Sequence, residues 1–359
     1  MLTISSVRSE PPGASTQGGA MHPQVSRAPS AAAGTERGRI SRKALLAGGL
    51  ATALLLAACG SDDSGDAGSS DDGTTDISVG AIPIVDVAPL YLGVEKGFFD
   101  QQGLKLKIET AQGGAAIVPG VVSDQFQFGF SNTTSLLLAA SKGLPLKVVT
   151  SGVATTGKDG ADFGAVVVAE DSAVKTAADL ASKRVAVNTL NNINTTTVNK
   201  AVRDAGGDPS GISYVELPFP DIPAAIAKGD VDAGQVVEPF LTVAQNQGMR
   251  QVASNYVATH PELTIAAYFT SANYAKANAE TVTKFTTAMN ESLAYADSHP
   301  DEARAILSTY TEIDPAVQEA VTLPKWPSQV SEESVNALSE LAVQDKLITS
   351  APDISQLLP

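Results

Sequence analysis

Short β-rich runs alternate with helical stretches from residue 77 onward, and this alternation restricts the chain to an α/β architecture. Most of the runs are continuously apolar, as in strands that are covered on both faces of a sheet. A helix is predicted over 279–299, where apolar residues recur at steps of three and four. The predicted strands are 77–84, 104–110, 126–131, 146–151, 164–169, 184–188, 212–217, 233–238 and 264–270.

Charged and small residues mark the helix ends. Lysine-glycine pairs at 96–97, 142–143 and 228–229 each place a cation in a last helical turn, followed by a glycine suited to positive φ. At the helix starts, Asn132, Asn194 and Asp221 are predicted N-caps, whose side chains accept hydrogen bonds from free backbone amides. Each of the three residues remains open to a second role as a ligand contact.

A weak internal sequence similarity predicts two similar lobes. The segments GVVSDQFQFGFSN (120–132) and AIAKGDVDAGQVVEPF (225–240) both indicate a helix end, a turn and a strand that runs into a loop. We predict lobe 1 over 77–163 and 239–359 and lobe 2 over 164–238. The hinges between the lobes are expected near 162–170 and 236–242.

The N-terminal region is typical of an export signal. Residues 44–58 carry no charge and follow four basic residues, but they are shorter than the roughly 20 residues that a membrane-spanning helix needs. The run ends at Leu56-Ala57-Ala58-Cys59-Gly60, which resembles a bacterial lipobox and implies a lipid on Cys59, the chain's only cysteine. An ordinary cleaved signal with a chance cysteine is the alternative.

We therefore interpret residues 1–58 as a lipoprotein signal peptide with a long N-terminal extension. Residues 59–76 are rich in aspartate, serine and glycine, and we predict a disordered acidic tether there. The body after the tether carries 18 Lys and Arg against 31 Asp and Glu, a net charge of −13. Nucleic-acid binding is excluded because no basic cluster remains in that body.

Residues of the kinds that carry catalysis are sparse. After Cys59 only His260 and His299 remain, which argues against a metal centre or a Ser/His/Asp triad. The run GVATTGK (152–158) resembles a phosphate-binding loop, but Asp159 stands where a serine or threonine is needed. We predict no catalytic residue, no metal and no cofactor.

Loops at the carboxyl ends of sheet strands are the usual ligand positions in α/β folds. Here these loops are 84–89, 111–116, 131–135, 188–196, 218–223 and 237–240. Several lead directly into helices, so their free amide groups favour an anionic or polar ligand. The loops contain no Lys or Arg, whereas Asp86, Asp221 and Glu238 supply carboxylates, which favours a ligand that also carries an amine or a ring N–H. Glu238 remains open to a hinge role.

Four segments resemble the periplasmic-type solute-binding proteins for nitrate, sulfonates, taurine and thiamine pyrimidine precursors. The segments are GAIPIVDVAPLYLGVEKGFFDQQGLKLKI (80–108), VVSDQFQFGFSNTTSLLLAASKGLPLKVV (121–149), VKTAADLASKRVAV (174–187) and AAIAKGDVDAGQVVEPF (224–240). The resemblance implies a two-lobed type II periplasmic-binding-protein fold with a hinge. It also implies lobe closure on a small solute and delivery to an ABC permease and its ATPase.

The resemblance also implies site positions. Family contacts fall on the loop before the first helix, on the glycine turn after the second strand, after the third strand and on the segment from Asn188 to Thr195. Together with the carboxylates, the candidate ligand-binding residues are Asp86, Val87, Gln112, Gly113, Gly114, Ser131, Asn132, Asn188, Asn192, Thr195, Asp221 and Glu238. The chain departs from the family at Asp124 and Gln127, and it lacks the cysteine-rich motif of the fungal pyrimidine-forming relatives.

These observations predict a monomeric lipoprotein on the extracytoplasmic face of a bacterial membrane, without enzymatic activity. The expected ligand is a small polar organic solute such as an aliphatic sulfonate or taurine. A thiamine pyrimidine precursor, with Phe219 stacking on its ring, is the alternative. An enzyme of the same fold and a sensory subunit are the remaining classes.

Overall fold

The structure is a computed structural model that describes residues 73–359. The predicted signal peptide, Cys59 and most of the predicted tether lie outside the described residues. No helix within 73–359 is both long enough and apolar enough to cross a membrane.

All nine predicted strands are present, with ends that shift by at most three residues, and one further strand was missed. The strands are β1 (Thr75–Ala81), β2 (Leu104–Thr110), β3 (Phe128–Asn132), β4 (Leu146–Ala154), β5 (Gly164–Val168), β6 (Arg184–Val187), β7 (Ser213–Glu216), β8 (Ala233–Val237), β9 (Arg250–Ala253) and β10 (Thr264–Ser271). The missed strand is β9, whose sequence RQVA has no apolar run because it lies half-buried at a sheet edge.

Helices connect the strands and cover the sheets. They are α1 (Ala88–Glu95), α2 (Phe98–Gln101), α3 (Gly114–Val122), α4 (Thr133–Ser141), α5 (Ile193–Asp204), α6 (Ile222–Lys228), α7 (Phe240–Asn246), α8 (Asn255–Thr259), α9 (Ala272–Ala277), α10 (Ala279–Ser298), α11 (Pro300–Ala305), α12 (Pro315–Ala320), α13 (Glu332–Gln344) and α14 (Ile354–Leu357). Short 3-10 helices lie at Val85–Val87, Ala177–Leu180, Pro209–Gly211, Phe219–Asp221 and Ile306–Thr309.

The strands form two five-stranded sheets with matching strand orders. The first sheet runs β2-β1-β3-β10-β4 and the second runs β7-β6-β8-β5-β9. In each sheet three parallel strands are followed by one antiparallel strand, β10 or β5, which the chain contributes after crossing from the other sheet. The two similar segments, 120–132 and 225–240, therefore contain strands at equivalent positions of the two sheets, β3 and β8.

The boundary between the sheets differs from the predicted lobe boundary. Because β9 pairs with β5, residues 250–253 lie in the second sheet rather than in lobe 1. The chain crosses between the sheets at 155–163 and returns at 254–263, so the second crossing comes after the hinge expected at 236–242. The crossings bond to each other, since the amide of Thr155 donates to the carbonyl of Leu263 at 3.1 Å. Below, lobe 1 and lobe 2 denote the parts built on the first and second sheets.

The core confirms the predicted apolar patterns. Every residue of β5 and β10 is buried, as expected for strands that are covered on both faces. Helix α10 matches the helix predicted over 279–299, and its apolar stripe is completely buried at Phe285, Met289 and Leu293. The Phe285 ring stacks on Phe128 of β3, with centroids 3.8 Å apart, which fixes the helix on the first sheet.

The predicted helix ends are confirmed at the three glycines and at Asn132, but not at Asn194, and Asp221 occupies the N-cap position of α6 without a side-chain cap bond. Gly97, Gly143 and Gly229 all have positive φ, between 74° and 77°, as their lysine-glycine pairs indicate. Asn132 caps α4 through its side chain. Asn194, however, lies inside α5, and Asn192 is the N-cap residue of that helix because its side chain bonds two first-turn amides.

Candidate ligand-binding site

Three helix N-termini meet between the two lobes. Helices α3 and α4 follow strands of the first sheet, and α5 follows β6 of the second sheet. The Asn132 Oδ1 atom accepts the amide of Ser135 at 2.9 Å within α4 and the amide of Ile193 at 3.3 Å at the start of α5. One side chain therefore joins the N-termini of helices from different lobes.

A reciprocal pair of hydrogen bonds also crosses between the lobes. The Gln112 Nε2 atom donates to the carbonyl of Asn188 at 2.8 Å, and the Asn188 Nδ2 atom donates to the carbonyl of Gln112 at 3.2 Å. Gln112 precedes α3 in lobe 1, and Asn188 follows β6 in lobe 2. The two strand-end loops consequently face each other directly, as the sequence predicted.

Two glycines permit this close approach. A Cβ atom at position 113 would lie 2.7 Å from Thr189 Cγ2 and 3.1 Å from Asn188 Nδ2. A Cβ atom at position 114 would lie 1.9 Å from Ser131 Oγ. Gly113 is therefore needed for contact between the lobes, and Gly114 is needed for packing inside lobe 1. As the N-cap of α3, Gly113 also leaves the first-turn amides of that helix without a side-chain cap.

A network of buried amide side chains lines the start of α5. The Asn188 Oδ1 atom accepts from Asn192 Nδ2 and Asn194 Nδ2, both at 2.8 Å. Asn192 and Thr195 form a reciprocal capping box, in which each side chain bonds the other residue's backbone. The hydroxyl of Tyr256 donates to Asn194 Oδ1 at 2.6 Å. These groups are uncharged, so the network can both donate and accept hydrogen bonds, and it does not determine the sign of a ligand's charge.

Asp86 is a buried carboxylate that forms no ion pair with any residue within 73–359. Its side chain is 2% exposed, and desolvation raises its pKa to about 7, with a further rise from the negative charge of Asp162. The groups in its electrostatic environment include Tyr256, Tyr268 and Tyr310. Near neutral pH the carboxyl group is therefore only partly ionised.

Several buried polar atoms in this region lack a hydrogen-bond partner among the described residues. They include Asp86 Oδ1, Gln235 Oε1 and the Tyr268 hydroxyl. Such atoms are rare in folded proteins because an unpaired buried polar group costs free energy. The three atoms offer two acceptors and one hydroxyl to a small molecule with complementary groups.

Glu238 is held by protein groups on both carboxylate oxygens. The amide and hydroxyl of Thr242 donate to it at 2.9 Å each, and the amide of Thr322 donates at 3.0 Å. Burial raises the pKa of Glu238 to about 7, while these three donors lower it. Its carbonyl accepts the amide of Val85 at 3.0 Å, which joins the lobes again. This geometry favours a role in joining the lobes over ligand contact, although Glu238 lies outside both crossings between the sheets.

The other candidates divide between the cleft and its surroundings. Ser131 is buried beside Gly114. Val87 is a completely buried apolar residue and offers no side-chain polar atom. Asp221 is exposed, occupies the N-cap position of α6 and makes no side-chain cap bond. The structure therefore does not bring Asp221 into the buried network.

Sequence reasoning missed three residues of this region: Gln235, Tyr256 and Tyr268. Gln235 carried a usable signal, because it is a polar residue in the middle of the buried strand β8. Tyr268 carried none, since an aromatic residue in an apolar run such as β10 is typical of core packing.

A cavity of about 290 Å³ opens next to the network, between loops of both lobes. Its walls come from the loops after β1 and β2 in lobe 1 and from the loops after β7 and β8 in lobe 2. The lining residues are Ile82, Pro83, Ile84, Thr110, Ala111, Gln112, Pro218, Phe219, Pro220 and Phe240.

Two sheets of matching topology, joined by two crossings and facing each other through strand-end loops, define the type II periplasmic binding protein fold. The profile of the NMT1/THI5-like family matches residues 84–303. The chain belongs to the NMT1/THI5-like family.

Known proteins are similar to this chain along most of their length. A Bacillus subtilis (strain 168) protein provisionally named as an aliphatic sulfonates-binding protein is 23% identical, over 82% of this chain and 86% of its own. The alkanesulfonate-binding protein SsuA from Xanthomonas axonopodis pv. citri, bound to MOPS, superimposes with a TM-score of 0.68 at 19% identity, covering 79% of this chain and 98% of its own. The nitrate-binding protein NrtA from Synechocystis PCC 6803 gives 0.67 at 14% identity, covering 79% and 86%.

Proposed function

We propose that the protein is the solute-binding component of an ABC importer and that it captures a small aliphatic sulfonate by lobe closure, without catalysis. The observation that carries this proposal is the meeting of the α3, α4 and α5 N-termini from two lobes. Helix N-termini bind anions because their amides donate hydrogen bonds and because the helix dipole places partial positive charge there. The first-turn amides of α3 have no side-chain cap, whereas at the start of α5 the ligand would replace the Asn132 and Asn192 side chains as the acceptor.

The site would hold an anion without a cation. The six strand-end loops contain no Lys or Arg, so the oxygens of a sulfonate would be held by amide and hydroxyl donors rather than by an ion pair. Ionised Asp86 would repel such a ligand, but its pKa of about 7 leaves a neutral fraction at neutral pH. Sulfonate affinity is thus expected to fall as the pH rises above 7.

Closure follows from binding to both lobes at once. A ligand that contacts α3 and α4 on one side and α5 on the other stabilises the closed arrangement by its differential affinity for that arrangement. In this proposal the permease recognises the closed form, and its ATPase drives uptake.

A second candidate ligand is a thiamine pyrimidine precursor. The unpartnered acceptors Asp86 Oδ1 and Gln235 Oε1 favour it, because an aminopyrimidine presents N–H donors that the sulfonate group lacks. Taurine, whose ammonium group is also a donor, would use the same acceptors.

Thermal melting against a ligand panel tests the proposal. At about 100 times its dissociation constant, a ligand stabilises a protein by about 2.7 kcal/mol, which should raise the midpoint by about 5 °C or more for a body of this size. We expect methanesulfonate or other sulfonates to do so and to be recovered unchanged after long incubation. A panel in which only pyrimidines raise the midpoint would select the second candidate, and turnover of a ligand would select an enzyme.

The proposal includes a lipid anchor on Cys59 and a monomeric body on the extracytoplasmic face of the membrane. The lipobox-like run before Cys59 and the acidic stretch after it support this placement. Cys59→Ser should move the protein from the membrane fraction to the soluble exported fraction, because the lipid is attached through the thiol. Retention of the serine variant on membranes would contradict the anchor.

A further inference from the structure

The cavity at the mouth of the cleft is built for an apolar group. Eight of its ten lining residues are Ile, Pro, Ala or Phe, and the other two are Thr110 and Gln112. Its volume is about 290 Å³. An apolar cavity of about 150 Å³ is already large enough to bind benzene.

Two parallel phenyl rings contribute to its wall. Phe219 and Phe240 lie in lobe 2 with ring centroids 6.4 Å apart and an interplanar angle of 11°. Both rings are flat apolar surfaces, and a ring-sized group packs on such a surface with carbon–carbon separations of about 3.5–4.0 Å. Phe240 is half-buried, so part of its side chain remains accessible to such a group.

The cavity is continuous with the candidate anion site. Gln112 lines the cavity, and the same side chain donates to the carbonyl of Asn188 in the buried network. Gln112 also precedes Gly113, the N-cap of α3. A molecule whose head lies at the helix N-termini would therefore place its tail beside Phe219 and Phe240.

We propose that this cavity is a tail subsite and that the preferred ligand is a sulfonate with an apolar, ring-sized tail rather than taurine or a one-carbon sulfonate. The inference rests on the proposed function for the anionic head and adds the class of the tail. Burying a phenyl-sized group favours binding by about 10-fold to 100-fold. Phe219 and Phe240 are the specificity-determining residues, and Gln112 positions the head relative to the tail.

The test is calorimetric titration of the exported body with methanesulfonate, taurine and benzenesulfonate. The wild-type protein should bind benzenesulfonate about 10-fold to 100-fold more tightly than methanesulfonate. Phe240→Ala should reduce this ratio about 10-fold. Phe240→Leu, which keeps apolar volume but removes the flat ring, should reduce it less. Val94→Ala, at an exposed apolar position on α1, is the matched control and should keep the wild-type ratio.

Each outcome decides one of the two claims. If the wild-type protein binds methanesulfonate and benzenesulfonate equally tightly, the tail subsite is wrong while the solute-binding proposal stands. The same conclusion follows if the affinity ratio is unchanged in the Phe240 variants. Equally tight binding of taurine and benzenesulfonate also rejects the subsite. Binding of none of the three sulfonates rejects the proposed function, and the subsite with it.

Discussion

Gly113→Val should lower the affinity for any cleft ligand by about 100-fold or more while leaving the fold intact. Position 113 has φ −174°, an extended conformation that valine adopts readily, so the backbone gains no strain. The added carbon atoms meet Thr189 and Asn188, which belong to the other lobe, and they do so only when the lobes are in contact. A loss of about 2.7 kcal/mol of closed-state stability corresponds to that change in affinity.

The measurement is ligand titration together with thermal melting of the unliganded protein. Ala116→Val also creates a valine side chain, at an exposed position of α3, and serves as the control, with near wild-type affinity expected. Wild-type affinity in Gly113→Val would contradict the role of lobe contact in binding. A collapse of the unliganded melting temperature would instead place the effect in folding.

Asp86→Asn should raise the free energy of unfolding at pH 8 by about 2–4 kcal/mol, with a smaller gain at pH 4.5. Burial raises the folded-state pKa of Asp86 from 3.8 to about 7. The folded state therefore holds a proton that the unfolded chain has released, and stability falls as the pH rises from about 4 to about 7. Asparagine removes the ionisation and with it the penalty.

Urea denaturation at both pH values measures this change. Asp100→Asn, at an exposed position of α2, is the control and should shift stability by only a few tenths of a kcal/mol. If Asp86 is near the bound sulfonate as proposed, its asparagine variant should also lose the decline in sulfonate affinity above pH 7. Equal stability changes at pH 8 and pH 4.5 would mean that the carboxyl group titrates normally in the folded protein.

The parts of the fold that depend on local sequence were predictable. A continuous apolar run predicted β5, and the three- and four-residue spacing of Phe285, Met289 and Leu293 predicted α10. The positions of the strand-end loops followed from the general geometry of α/β sheets. For this reason most of the candidate residues taken from those loops lie in or beside the cleft.

The parts that depend on distant contacts were not predictable. Strand β9 is held at the sheet edge by pairing with β5, and RQVA alone has little strand character. Tyr256 bonds to Asn194 of the polar network from α8, which lies far along the chain from the start of α5. Asp221 was included among the candidate ligand-binding residues because its carboxylate is evident from the sequence, whereas its exposure to solvent is not.

The central claim is that helix N-termini of both lobes hold one ligand. A crystal structure of the protein with a bound sulfonate tests it most directly. We expect sulfonate oxygens about 3 Å from backbone amide nitrogens at the start of α5 and at the start of α3 or α4. A sulfonate that contacts loops of a single sheet, or that binds outside the cleft between the sheets, would contradict the claim.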